Sequence, residues 1–410
     1  MPRDRVLALI QAGGAGGRMD VLTRERAKPA LPLAGVFQLV DVPLSNLAHS
    51  GVTDVWLSLQ FQGSTLEEQV ANGRPWDLDR NHGGLRLLMP QQGSGSLDED
   101  GFAQGNADEL YRIRDQIAAA APDVLLVMSA DHVYRLDYND VVATHLAAGA
   151  ECTVVTTRAP EGDDPADHAV VQVDDDGRVT GFAYKPDDPD GDLVAAEVMA
   201  YDPRVLVEVL DALHVELSAD SPAGDTGLGD FGDHLLPRLL ERGRVVAHRY
   251  DGYWRDVGQP HLYLRAHREL LLDDHGVLGV PGWPILTRQP QRSPARVLGG
   301  AVVDDAMVCP GATVGGTVRR SVLGPGVVVE EGATVLDSVV AADTVVGAGA
   351  TVAWAIVDTG CVIEVDAVVG DPAVPALDDP DAVTILGRDS TVGAGVRLAA
   401  GSRLEPGSTV

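Results

Sequence analysis

The stretch VLALIQAGGAGGRMDVLTRERAKPALP, residues 6 to 32, governs how the first part of the chain is read. An apolar run bounded by glycines reads as a buried strand, and glycines after a strand let backbone amides approach a ligand closely, phosphate first among them. Behind the cluster stand Arg18 and, after a gap, Lys28. A Walker-type loop is excluded, because no Gly-Lys pair occurs anywhere in the chain. The dinucleotide fingerprint G-x-G-x-x-G fails too: counted from Gly14 and Gly16, its third glycine falls on Met19. What remains is a glycine loop backed by two separated cations, which suits a polyphosphate whose charge is spread over several donors. A plain strand-to-helix turn with surface charges is the alternative.

Outward from that stretch, apolar runs alternate with helix-like segments. "VLALI", "VTDVWLSLQ", "DVLLVMSADHVY" and "CTVVTTR" are separated by segments such as "TLEEQVANG" and "ADELYRIRDQIAAAA". The alternation predicts an α/β fold with a mostly parallel sheet covered on both faces. Ligands of such sheets sit beyond the carboxyl ends of the strands, where Gly13 to Arg18 and Ser129 to His132 both fall. "HAVVQVDDDGRVTGFAYKP" reads as an antiparallel hairpin around an Asp-Gly turn, with Lys185 at the end of a strand. From residue 299 the texture changes to an apolar residue, a small residue and Val at a spacing near six, interrupted by an Asp- and Pro-rich piece at 371 to 381. That is the hexapeptide signature of a parallel β-helix. No histidine follows His275, so a hexapeptide-type acyltransferase is not expected and the repeats read as structural. The expected organisation is a catalytic domain over 1–275, a proline-rich linker over 276–298 and a β-helix over 299–410.

The chain carries 61 acidic and 31 basic residues among 410, a formal net charge of −30. The charge argues against binding nucleic acid or anionic membrane through bulk electrostatics, so neither is expected as a partner, and an anionic substrate must be caught by a few local cations. Three dispersed cysteines with no C-x-x-C pair indicate neither a disulfide framework nor a zinc site. No run of 18 apolar residues occurs and the amino-terminal apolar run is too short for a signal-peptide core, so a cytoplasmic location is expected. Lysine is nearly absent: the only two are Lys28 and Lys185, each followed by proline. Retention of lysine among arginines points to sites where a compact, rotatable ammonium is required. Two aspartates stand out beside them, Asp131 closing an apolar run and Asp256 in "DGYWRDVGQP". Two carboxylates and a few waters are what Mg²⁺ prefers when it also binds phosphates, although an aspartate after a strand is often only a helix cap.

With these residues in view, "AGGAGGRMDVLTRERAKPALPLAGVFQLVDVPLSN" resembles the amino-terminal signature of the nucleotide-sugar pyrophosphorylases, most closely the glucose-1-phosphate adenylyltransferase (ADP-glucose pyrophosphorylase) family. The resemblance continues through "GNADELY", "SADHVYRLDY", "AYKP", "DFGDHLLP" and "GYWRDVGQPHLY" into the repeats. It implies a Rossmann-like nucleotidyltransferase domain with a mixed sheet, followed by a left-handed parallel β-helix. It also implies transfer of a nucleotidyl group from ATP to glucose 1-phosphate with release of pyrophosphate, Mg²⁺ as cofactor, and a homo-oligomer, a tetramer.

Carried over residue by residue, the resemblance implies catalytic roles for Arg18, Lys28, Asp131 and Lys185. Ala12, Gly13, Gly14, Gly16, Arg18, Gln60, Gly105, Asn106 and Asp108 would face the nucleotide. Tyr184, Lys185, Glu197 and Asp256 would face the sugar phosphate, and Asp131 and Asp256 the metal. The chain departs from the pattern in four places: Asn106 stands for threonine, Tyr184 for the glutamate before Lys-Pro, Ala130 for glycine, and "AAEVM" at 195 to 199 for S-M-G-x-Y. Val36 and Gln38 stand where the family often carries basic residues associated with phosphorylated activators. Two alternatives stay beside the main expectation: another sugar 1-phosphate as substrate, or a catalytically weakened regulatory subunit of a hetero-oligomer.

Overall fold

The computed structural model describes residues 4–14, 16–90, 102–217, 225–272, 275–375, 377 and 379–410. Its first part is built on a nine-stranded mixed sheet. The opening strand, Val6–Ala12, lies at the centre, parallel to Val124–Ser129 on one side and Asp54–Leu59 on the other. Its side chains alternate between two cores: Ala8, Ile10 and Ala12 join one, Leu7 and Leu9 the other. That two-sided burial explains why the run is apolar throughout rather than alternating. Beyond Val124–Ser129 the sheet turns antiparallel through Leu193–Tyr201, which also pairs with Cys152–Arg158. The hairpin expected around the Asp-Gly turn forms, Ala169–Val173 pairing with Val179–Tyr184. A separate two-stranded ribbon sets Trp254–Asp256 antiparallel to His132–Tyr134, with Asp256 opposite His132.

The repeats form three six-stranded parallel sheets, consistent with a left-handed β-helix. Val314, Val329, Val346, Ile363 and Val392 pair in register and stack inside it. Arg296–Val297 already pairs with Thr313–Val314, inside the stretch read from sequence as linker. The middle of that stretch is pinned to the first part of the chain. Trp283 Nε1 donates to Asn46 Oδ1 (3.0 Å), Leu286 N to Ser45 Oγ (2.8 Å), and Leu286 O accepts from Trp76 Nε1 (3.1 Å).

One outer row of the β-helix, Val322, Val339, Ile356 and Ile385, is buried in the same core as Leu31 and Leu33. Around this seam the segment that follows the glycine loop is tied to the repeats by three ion pairs. Asp20 meets Arg403 at 3.1 Å, Arg24 meets Glu405 at 3.1 Å, and Arg26 meets Asp358 at 2.6 Å with both side chains buried. Among the described residues no helix is long and apolar enough to cross a membrane.

Candidate active site

Sheet register decides where the chemistry collects. Gln11 lies opposite Ser129, and Ala12 opposite Leu59, so the glycine loop, Gln60 and Asp131 leave the sheet from the same edge. They border a cavity of about 500 Å³. Ala12, Gly13, Gly14, Arg18, Lys28 and Gln60 line it together with Gly105, Asn106, Asp131, Tyr184, Lys185 and Glu197. Close approach to backbone requires glycine at Gly105, where a Cβ would sit 2.3 Å from the Gly229 carbonyl; a Cβ on Gly13 would sit 2.3 Å from Gln60 Nε2, which that side chain would have to vacate. Asn106 fixes the wall beyond: its Oδ1 accepts from Phe231 N (2.5 Å), and its N donates to Asp230 Oδ1 (3.2 Å).

The inner end of the cavity is a cluster of charge. Lys28 Nζ lies 2.5 Å from Asp131 Oδ2 and 3.5 Å from Asp256 Oδ1, with its side chain only 9 % exposed. Burial alone would lower its pKa, but the two carboxylates outweigh that and hold the lysine above its ordinary value. Burial likewise opposes charge on Asp131, yet Lys28 and His132 keep its carboxyl well below the usual range, aided by a hydrogen bond from Ser129 Oγ. Asp256 is lowered in the same way, Lys28 and then His132 overcoming burial. His132 is raised, Glu197, Asp131 and Asp256 together outweighing its burial.

At the rim the setting is different. Lys185 is exposed, has a left-handed backbone (φ 47°), and holds its ammonium 5.0 Å from the Tyr184 ring centroid. The Tyr184 hydroxyl donates to Asp230 Oδ2 at 3.1 Å.

Three residues expected at the site do not line the cavity. Gly16 lies behind the loop, its carbonyl accepting from Thr23 Oγ1 (2.9 Å). Asp108 is fully buried and points inward, accepting from Gln104 N (2.8 Å), Arg112 Nε (3.0 Å) and Thr226 Oγ1 (2.7 Å). It shapes the loop that carries Gly105 rather than facing a ligand. Asp256 stands one layer below the lining, against Lys28 and His132, and its Oδ1 is buried without a hydrogen-bond partner. Glu197, expected on the sugar side, faces His132 at 3.7 Å.

Sequence reading missed Glu109, Asp230 and the part played by His132. Glu109 lines the cavity and accepts from Gln11 Nε2 (3.0 Å), and burial pushes its carboxyl up to about 7. Its signal was an acid inside a helical run, which charge counting alone assigns to a solvated face.

A central parallel strand ending in a glycine loop, with a repeat stack behind it, is the architecture of a nucleotidyltransferase. The nucleotidyl transferase family matches residues 7–272, and the GlmU-like C-terminal hexapeptide family matches residues 295–378. The chain is 34% identical over 329 residues to the glucose-1-phosphate adenylyltransferase of Thermotoga sp. (strain RQ2), covering 80% of this chain and 75% of that one. It is 35% identical over 311 residues to that of Thermomicrobium roseum, covering 75% and 70%. With that of Bacillus thuringiensis (strain Al Hakam) it shares 31% over 333 residues, covering 81% and 85%. The chain belongs to the glucose-1-phosphate adenylyltransferase family of nucleotidyltransferases.

Proposed function

We propose that this protein joins ATP and glucose 1-phosphate to give ADP-glucose and pyrophosphate, supplying α-glucan synthesis, and that it works as a homo-oligomer, a tetramer, in the cytoplasm. The observation that carries the reading is the convergence of the glycine loop, Lys28 and Asp131 on one cavity at the ends of the parallel strands. A phosphate oxygen of the sugar 1-phosphate attacks the α-phosphorus, a new P–O bond forms, and the bond to the β-phosphate bridge breaks with pyrophosphate leaving. Such a transfer needs positioning and charge neutralisation more than covalent help.

Gly13 and Gly14 bring the backbone against the triphosphate, and Gln60, Gly105 and Asn106 wall the nucleotide. Arg18 and Lys28 neutralise the leaving pyrophosphate. Lys185, at the rim with Tyr184, takes the sugar phosphate. In a protein of charge −30 these few cations must overcome the general repulsion of anions, so each matters more than in a neutral chain.

The residues present fit a divalent ion. Hard carboxylate oxygens converge at the inner end, and one of them, Asp256 Oδ1, is buried with no hydrogen bond. Asp131 and Asp256 would hold Mg²⁺, which when bound neutralises charge on the reacting phosphates. Another sugar 1-phosphate is the second reading, favoured by Tyr184 and Met199 at the cavity wall, where a phenol and a thioether meet the sugar. Pyrophosphate release by the purified protein, screened with each nucleoside triphosphate against a panel of sugar 1-phosphates, decides between them. Highest kcat/KM with ATP and glucose 1-phosphate supports the first reading. Preference for another sugar supports the second, and no release with any pair sinks both.

A further inference from the structure

Around His132 four polar groups meet that the two-aspartate arrangement does not use together. The His132 side chain is 3 % exposed. Its Nδ1 lies 3.3 Å from the Ala196 carbonyl, which can only accept, so Nδ1 carries the hydrogen. That leaves Nε2 aimed into the cluster with no hydrogen bond, 3.6 Å from Asp131 Oδ1, 3.7 Å from Glu197 Oε2 and 3.7 Å from Asp256 Oδ1. The ligand atoms of Asp131, His132 and Glu197 all lie within 4.8 Å of one another. Asp256 Oδ1, beside them, is buried and accepts no hydrogen bond. Lys28 already pairs with Asp131 and Asp256, yet a single ammonium leaves three carboxylates around one ring nitrogen with excess negative charge, which favours a further cation at that point, whether a proton or a metal. A histidine whose far nitrogen is oriented by a backbone carbonyl has the support that metal-binding imidazoles use.

Glu197 reaches this position on an unusual backbone. Its φ is 53°, in the region glycine favours, and the strand that carries it shifts register between Ala195 and Met199. A bulge re-aims a side chain, and here it turns a carboxylate toward His132.

We propose that Asp131, His132 and Glu197, with Asp256 as fourth donor, form one divalent-cation site, and that its imidazole nitrogen biases it toward Mn²⁺ or Co²⁺ over Mg²⁺. Carboxylate and water alone suit Mg²⁺, whereas imidazole is a better donor to the later first-row ions. The inference rests on the reading of this cavity as a nucleotidyl-transfer site, but its test needs no substrate.

The full chain, stripped with a chelator and free of nucleotide and sugar, is titrated with Mn²⁺. Electron paramagnetic resonance follows the free ion, and pulsed spectra record nitrogen hyperfine coupling on the bound one. The expected result is a single tight Mn²⁺ with one directly bonded imidazole nitrogen. That coupling is lost in His132→Asn, and affinity is weakened at least about tenfold in both Glu197→Gln and Glu197→Gly. Mg²⁺ should compete only at a concentration at least about tenfold above that of Mn²⁺. Glycine suits φ 53°, so Glu197→Gly keeps the test available if the glutamine variant folds poorly. Bound Mn²⁺ without nitrogen coupling, or unchanged affinity in Glu197→Gly, overturns the proposal. If pyrophosphate release proceeds normally alongside either result, the functional reading stands and only this inference falls. Nitrogen-coupled Mn²⁺ in a protein that releases no pyrophosphate supports the site and sinks the function.

Discussion

Lys28 and Lys185 are the chain's only lysines, and they stand at opposite ends of one cavity in opposite surroundings. The inner end is buried and cross-bonded: Lys28 is held between Asp131 and Asp256 with His132 beside them. The rim is open, and Lys185 leans over an aromatic ring with no carboxylate in contact among the described residues. The contrast teaches where precision is required. At the inner end every charge is set by another charge in a space with little water, so electrostatic interactions are strong and any misplacement is felt. At the rim, on the proposed reading, the cation would have only to meet a doubly charged phosphate, and water tolerates some error.

The sharpest way to break this comparison is at the inner carboxylates. Asp131→Asn and Asp256→Asn should each lower kcat on the order of 1000-fold at saturating Mg²⁺ with the circular-dichroism spectrum unchanged. Near-normal turnover in either would remove that aspartate from the metal. Next, Lys28→Arg should cost about 100-fold in kcat, because a planar guanidinium cannot take the place of an ammonium wedged between two carboxylates. Steady-state kinetics with both substrates saturating measure this.

Glu109 sharpens the comparison through stability. Its carboxyl is raised from 4.5 to about 7 by burial. The folded protein therefore holds this proton more tightly than the unfolded chain, and stability is lost as pH rises from about 4.5 through about 7. Glu109→Gln removes that loss, so the variant should exceed the parent by about 3 kcal/mol at pH 8 and match it near pH 4. Urea unfolding at both pH values measures the difference, and a gain at acid pH instead would reverse the assigned sign.

At the rim the expected effect is smaller. Lys185→Arg should raise KM for the sugar phosphate about tenfold and leave KM for the triphosphate within about twofold. Equal shifts in both would place Lys185 on neither side in particular. Smallest is the response to phosphorylated effectors. Val36 and Gln38 bring no charge, and the roughly 380 Å³ cavity beside Gln38 offers one cation, Arg288, already donating to the Glu68 carbonyl (2.7 Å) and accompanied by the Glu68 side chain. Sugar bisphosphates at millimolar concentration should change initial rates less than about fivefold, a coupling near 1 kcal/mol.

What could be read from sequence was chemistry that is local in the chain. The glycine loop, Lys28 and Asp131 announce themselves because strand, loop and cation are neighbours in sequence, and the repeats do so because the same short pattern recurs. Asp108 turns inward toward Thr226, 118 positions away, and nothing within G-N-A-D reveals that orientation. Glu197 falls on the glycine of the S-M-G-x-Y pattern, but which way its carboxylate faces depends on a register shift that no residue pattern states. The four-proline stretch reads as a linker by composition, and composition does not reveal that Trp283 and Leu286 bond it to Asn46 and Ser45, more than 200 residues earlier.

The three ion pairs between residues 20–26 and the repeats bear on heredity as well as on mechanics. The segment joining Arg18 to Lys28 is fastened at Asp20, Arg24 and Arg26 to Arg403, Glu405 and Asp358, two of them in the last coils of the stack. A recombination that exchanged the repeat array for a relative's would leave Arg26 buried opposite a foreign side chain and loosen the strap between two cations that line the cavity. The two halves are thus poor candidates for shuffling. Substitutions near residue 405 and near residue 24 are expected to be inherited in matched pairs, although the positions lie 381 residues apart.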